Sequence, residues 1–284
     1  MSVRIVTDST ADISPELAAQ HQITIVPLVV IFGDEVLQDG IDITSERFFK
    51  RLVREPQLPT TSQPSVGAFQ EVYEALKADG ATEILSIHLS GKLSKTIESA
   101  RQAAAEIEGV RIVHIDSHLA SLALGMGVIH AAEDAAAALP FETIRARVEA
   151  QFERTQIFFM VDTLEYLRRG GRIGRGQELL GSLLQFKPIL SIRDGEVVPV
   201  GRVRTKQKAM EELLRLAGEL RPWSEAVVVH ATTPDSMEYL VERLHGMVPE
   251  VPITLGRITP VVGVHAGPGL LGLAIVSSPS VTEA

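Results

Sequence analysis

The sequence predicts an α/β protein of two domains: an N-terminal parallel-sheet α/β domain over residues 1–155 and a C-terminal mixed α/β domain over residues 156–284. Three observations carry this. Short β-branched runs alternate with helical patterns along most of the chain, the signature of a largely parallel sheet covered by helices. One segment breaks the alternation and reads as a β-hairpin, which calls for a mixed sheet in the second half. With 284 residues the chain is long enough for two medium domains that need no covalent staples.

The elements follow in order. A strand-like run at residues 3–7 precedes a short helix at 15–20 and a second run at 23–32. Helical periodicity covers 45–54 and 66–77, with Ser65 placed to cap the latter. Runs at 83–88 and 110–115 alternate with helices at 96–106, 119–138 and 142–154. The domain boundary is expected where that last helix ends, near residues 154–156. A run at 157–161 then leads to a helix at 178–184. Residues 187–193 and 196–204 form the hairpin, because Asp194-Gly195 suits the left-handed positions of a tight turn. Helices at 205–220 and 236–244 and strands at 226–230, 253–258 and 271–276 complete the pattern.

Composition excludes several functions. The chain has no cysteine, so disulfides, thiolate catalysis and cysteine-ligated zinc are ruled out. A net charge of −9 disfavours non-specific binding to nucleic acid or an anionic membrane. The chain enters a strand pattern at once, with no basic region and long apolar segment before it. Its longest apolar run, residues 23–32, contains Thr24 and Pro27 and falls well short of the ~20 residues a membrane span needs. A cytoplasmic protein without a transmembrane segment is expected.

Familiar catalytic motifs are missing. There is no G-x-x-x-x-G-K-[ST] phosphate loop and no G-x-S-x-G nucleophile elbow. Gly174-Arg175-Gly176 is a lone G-x-G that does not directly follow a strand. The eight histidines show no H-E-x-x-H or other ligand spacing. No nucleotide cofactor or metal is therefore expected. Asp8-Ser9-Thr10 follows the first strand, where α/β proteins place functional groups, yet Thr10 stands where an aspartyl phosphotransferase would carry a second acid. Capping of the next helix by Asp8 and Ser9 is the plainer reading.

Four polar loops remain. Pro59-Thr60-Thr61-Ser62-Gln63-Pro64-Ser65 holds three consecutive hydroxyl residues that a helix cap alone does not explain. Leu89-Ser90-Gly91-Lys92-Leu93-Ser94-Lys95-Thr96 runs from a strand into a helix, so Ser94 and backbone N–H groups either cap that helix or receive an anion. Around Arg168-Arg169-Gly170-Gly171-Arg172, residues 165–208 carry ten Lys or Arg against four Asp or Glu. This basic stretch is either a solvated face or a docking surface for an acidic partner. Only Tyr166 and Phe186 are there to stack a base, which argues against nucleic acid. His265-Ala266-Gly267-Pro268-Gly269 sets a histidine in a glycine-rich turn beside the last strand.

Together these loops resemble the DegV family, the fatty-acid-binding subunits that work with a bacterial fatty acid kinase. The match runs the whole chain and adds Ile115-Asp116-Ser117, Glu165-Tyr166-Leu167, Lys187-Pro188-Ile189-Leu190 and Val203-Arg204-Thr205. The chain departs from the family pattern at Lys95, where many members have glycine, and at Ile97, where they have an aromatic residue. The resemblance implies a long-chain fatty acid buried between two α/β domains, its carboxylate held by Thr61, Ser94 and His265. It also implies a separate kinase subunit that supplies ATP and makes the acyl phosphate, with membrane contact confined to transient lipid exchange. Ser62 and Arg172 are candidates for support of the site, and Arg202 and Arg204, in the basic stretch, for docking the partner. The competing expectations are a free-standing phosphotransferase or hydrolase using Asp8, Ser94 or His265, and a ligand-sensing regulator that docks through the basic stretch. The missing nucleotide motif stands against the first, and the lack of a basic helix-turn-helix against the second.

Overall fold

A computed structural model describes residues 2–179 and 186–279. The first half runs β1 (Val3–Asp8), α1 (Pro15–Gln20), β2 (Thr24–Val26), β3 (Val29–Phe32), β4 (Glu35–Gln38), α2 (Ser45–Leu52), β5 (Thr60–Ser62), α3 (Val66–Ala78), β6 (Glu83–His88), α4 (Thr96–Ala104) and β7 (Arg111–Asp116). Two long helices follow, α5 (Leu122–Ala136) and α6 (Phe141–Glu153). The second half runs β8 (Thr155–Met160), α7 (Glu165–Arg169), β9 (Lys187–Arg193), β10 (Glu196–Val203), α8 (Lys206–Gly218), β11 (Trp223–His230), α9 (Pro234–Met247), β12 (Ile253–Arg257), α10 (Pro260–Ala266) and β13 (Leu271–Ser277).

Two main sheets result. The N-terminal sheet is parallel, in the order β2-β1-β6-β7. The strand order reverses at β1, so the ends of β1 and β6 flank the crevice where α/β sheets place their ligands. The C-terminal sheet is mixed, in the order β10-β9-β8-β13-β11-β12, with only β11 and β12 parallel. Its hairpin turns at Asp194 and Gly195, both left-handed with φ of 50° and 79°, as Asp-Gly requires.

The structure adds β4 and α7, which the sequence pattern does not predict, and differs from the expected elements elsewhere. The run at 23–32 is two strands, because Pro27 has no N–H to continue a ladder. Its second half, β3, joins β4 and β5 in a small antiparallel sheet. The loop between prolines is thus partly a strand, β5. Residues 180–184 of the helix expected at 178–184 lie outside the described residues, and Gly174–Leu179 form a 3-10 turn. The glycine-rich turn at His265 is the end of a helix, α10.

Burial sorts the layers. On β8, Phe158 and Met160 point to the cluster under α8 and α9, while Ile157 and Phe159 point to the main core with α5. The outer face of the parallel sheet, through Val6 and Ile84, packs on Phe69 and Tyr73 of α3. The main core therefore lies between the sheets. There α5 is apolar nearly all round, as a helix enclosed on every side must be. Although α10 comes late in the chain, it packs against α2, β3 and β5 of the first half and against α7. Its N-terminus is held by two buried carboxylates from that half: Asp12 accepts the Thr259 N–H (2.8 Å) and Asp39 the Val261 N–H (3.3 Å).

Candidate functional site

A cavity opens in the main core between the sheets, with about 140 Å³ available to the centres of water-sized molecules. At more than ten such ångström-cubed units per water, it has room for roughly ten waters or an unbranched chain of similar bulk. Its floor is one face of the C-terminal sheet. Gly272 and Ala274 of β13 form a trough, walled on one side by Phe159 and Ile157 of β8 and on the other by Val229 and Val227 of β11. Small residues between large ones on neighbouring strands leave a groove the width of one strand. The trough is apolar, and Leu89 and Ala123 line the opposite wall.

One end is polar. Thr61, Ser94, Arg172 and His265 all line the cavity, with Gln63. Thr61 is held in register by pairing of β5 with Val30 of β3, and its Oγ1 lies 2.8 Å from His265 Nε2. Ser94 precedes α4; its Oγ lies 2.9 Å from Thr96 Oγ1 and accepts the Thr96 N–H at 3.3 Å. Arg172 donates through Nε to the Leu93 carbonyl (3.0 Å) and through Nη1 to the Gly170 carbonyl (2.8 Å), so its charge is fixed beside the cavity.

His265 is pinned from behind. Its Nδ1 is buried with no protein partner, facing Gly170, where a Cβ would stand only 2.2 Å away. Burial, and then the charge of Arg172, push the imidazole down to about 4, so the ring is neutral at neutral pH. The site thus joins two hydroxyls, a neutral imidazole and one guanidinium at the head of an apolar trough. Such a set can hydrogen-bond and charge-balance a carboxylate whose tail must leave water.

The other candidates lie elsewhere. Ser62 is exposed and donates to the Gln63 carbonyl (3.2 Å). Arg202 and Arg204 are exposed near the edge of the mixed sheet, 5.3 and 5.9 Å from the Phe186 ring centroid. Asp8 is fully buried and caps the 3-10 turn Ser9–Ala11. It accepts from the Thr10 hydroxyl and N–H and from the Leu89 N–H, and pairs with His88 Nδ1 at 2.9 Å. His88 Nε2 in turn meets Ser86 Oγ, and Ser86 Oγ meets Tyr73 OH, each at 2.8 Å. Asp8, His88 and Ser86 follow the order of a hydrolase triad, but all three have no exposed surface. Their hydrogen bonds satisfy a polar core and offer no nucleophile to a substrate.

Sequence reasoning missed Thr10 and Ser121, which also line the cavity. Ser121 adopts φ 61°, a conformation unfavourable for a side chain. It is held there by its N–H to the Thr10 carbonyl (2.8 Å) and its hydroxyl to Asp12. A left-handed serine has no sequence signature, so nothing in Leu119-Ala120-Ser121 marks it. Among the described residues no group of three His, Asp or Glu side chains is placed to hold a metal ion. No described helix is long and apolar enough to cross a membrane.

Comparisons with known proteins identify the family and the fold. A DegV domain-containing protein of Halalkalibacterium halodurans is 37% identical over 96% of this chain and 97% of its own length. The solved structure of a fatty-acid-binding DegV family protein from Thermus thermophilus superimposes with a TM-score of 0.90 at 34% identity, covering 98% of this chain and all of that one. DegV of Bacillus subtilis, described as a fatty acid binding protein, gives 0.89 at 34% identity over 97% of this chain and 99% of its own. The family model described as an uncharacterised protein of the DegV family matches residues 2–278, and the chain belongs to that family.

Proposed function

We propose that this protein binds a long-chain fatty acid between its two domains, taken as residues 1–155 and 156–284, and presents the carboxylate to a separate ATP-dependent kinase. The single observation that carries this is the apolar trough of β13 ending at Thr61, Ser94, His265 and Arg172. The tail lies along Gly272 and Ala274, and the carboxylate accepts hydrogen bonds at the polar end with Arg172 as counter-charge. Two hydroxyls and a neutral imidazole hold it more loosely than a bidentate clamp on both oxygens. One carboxylate oxygen therefore stays free to attack the γ-phosphoryl group of ATP on the kinase, forming a C–O–P linkage as ADP departs. The chain itself supplies binding and orientation, not catalysis, and works in the cytoplasm with transient membrane contact for lipid exchange.

The purified protein should carry a long-chain fatty acid, because burial contributes about 0.8 kcal/mol per CH₂ and a long tail then survives purification. Mass spectrometry of an organic extract checks it. An extract without lipid, together with no uptake of added oleate or palmitate, would remove the proposal.

Docking of the kinase is expected to use the basic stretch, with Arg202 and Arg204 as exposed contacts on the mixed sheet. Attraction between exposed charges fades as the Debye length falls to about 3 Å at 1 M salt. Acyl phosphate formation with a cognate kinase should therefore drop with added salt and with Arg202→Glu plus Arg204→Glu. A coupled rate indifferent to both would place the docking surface elsewhere.

A further inference from the structure

The acid cavity and a second, more polar groove both touch one face of the mixed sheet, and the buried Phe152 shares a core cluster with cavity residues while its chain neighbours line the groove. Along β13, Gly272 and Ala274 line the cavity, and the next residue on that face, Val276, lines the groove. Ala274 lies between Ile157 and Val227; Val276 lies between Thr155 and Glu225. At roughly 3.4 Å per residue, only about 7 Å of strand separates the end of the trough from the start of the groove.

Above this floor α5 runs across both. Ala123 lines the cavity and His130, two turns further along the same helix face, lines the groove. Gly127 is the residue between them on that face, and the space its side chain would take is filled by Phe152. A Cβ at 127 would stand 2.3 Å from Cε1 and 2.6 Å from Cζ of that ring. Phe152 sits in the last turn of α6 between Gln151 and Glu153, both of which line the groove, and it is itself buried in the main core with Ile157 and Ala274.

The two spaces differ in chemistry. Beyond the ring the groove offers about 810 Å³ on the same measure, lined by His130, Glu133, Arg147, Arg154 and Glu225 among others. The buried Gln151 Nε2 has no partner there, and His130 stands between the Gln151 amide and the Glu225 carboxylate, at 2.8 and 3.6 Å. A methyl terminus entering this groove would desolvate charged and amide groups, whereas one that stops short stays among apolar walls.

We propose that Phe152, seated on Gly127, is the stop that sets the longest acyl chain this protein accepts. The assignment rests on the fatty-acid reading above and specifies which members of that class fit. With the ring removed, the space it vacates beside Gly127 lengthens the cavity within apolar walls, short of the charged groove. Longer acids then bury methylenes that the wild-type ring excludes.

The full-length protein and its Phe152→Leu and Phe152→Ala variants are stripped of lipid, offered an equimolar mixture of palmitate, stearate, arachidate and behenate, and extracted for mass spectrometry. The behenate-to-palmitate ratio should rise by about tenfold or more in Phe152→Ala, since two further buried methylenes at about 0.8 kcal/mol each suffice for that. Phe152→Leu, which keeps an apolar side chain against Gly127, should shift the ratio in the same direction by less, and it decides the matter if the alanine variant does not fold. An unchanged ratio in a folded variant that still takes up palmitate overturns the stop and leaves the fatty-acid reading standing. Uptake of no acid by wild type overturns both.

Discussion

Ser94→Ala should leave the protein loaded with lipid while slowing acyl phosphate formation on the order of 100-fold, the cost of misplacing a reacting atom by about 1 Å. The two effects separate because their energies differ in size. A hydrogen bond to a charged group contributes about 1.5–3 kcal/mol. Some fifteen buried methylenes contribute roughly 12 kcal/mol. Retention follows the tail and orientation follows the hydroxyl. Ser94 Oγ also accepts the N–H of buried Thr96 in the turn that leads into α4, so the variant loses a hydrogen bond worth about 0.5–1.5 kcal/mol as well. Three measurements on one preparation distinguish these roles: lipid per protein, phosphorylation rate at saturating kinase, and urea midpoint. Full lipid with a normal rate and a lowered midpoint would leave Ser94 holding the turn before α4 and nothing more.

Asp39→Asn should stabilise the protein at pH 8 by up to about 4 kcal/mol and change little at pH 4. Asp39 is buried with Oδ1 accepting the Val261 N–H and Oδ2 without a partner. Burial pushes its carboxyl from 3.8 up to about 7, and nearby Asp12 is pushed to about 7 by the same cause. At 1.36 kcal/mol per pH unit that displacement sets the figure, an upper value because each acid also repels the other. Below about pH 4 both acids are protonated in folded and unfolded chains alike. Between about 4 and 7 the unfolded chain releases protons that the folded chain keeps, so this contribution to stability is lost as pH rises and stays lost above 7. His114 and His265, both pushed from 6.5 down to about 4 chiefly by burial, act in the opposite sense: they weaken the fold as pH falls through the same window. Wild type should therefore vary little across it. With one acid removed, the histidine arm shows, and urea unfolding of Asp39→Asn should give stability that climbs from pH 4 to 6.5. A gain equal at every pH, or a loss at pH 8, would contradict the burial of an ionising carboxyl at 39.

The alternation of apolar runs and helical patterns marked the two sheets because each β-α unit is a local pattern, and Asp194-Gly195 marked the hairpin because a turn is two residues long. What escaped was not local. Pro27 was visible in the run at 23–32, but its consequence, a second small sheet that holds Thr61, depends on pairing with residues thirty positions away. Thr61 and His265 lie 204 positions apart, so their 2.8 Å contact has no trace in spacing, and only the motif order set both residues apart. Asp39 precedes Gly40 and looks like half of a surface turn, yet it is 3% exposed. One further signal is legible: in Leu271-Gly272-Leu273-Ala274, the small residues alternate with leucines, which is how a strand writes a trough on one face and a core on the other.

The anchoring of α10 by Asp12 and Asp39 also orders events during synthesis. Asp39 reaches across 222 positions to Val261. At translation rates of about 5–20 residues per second, the partner of that carboxylate emerges about 10–45 s after it. Throughout that interval the parallel sheet can form from neighbouring segments, but the wall of the cavity that carries His265 does not yet exist. Contacts this distant in the chain are also the slowest to close. A nascent chain is therefore unable to close the walls of this cavity until α10 and β13 have both left the ribosome.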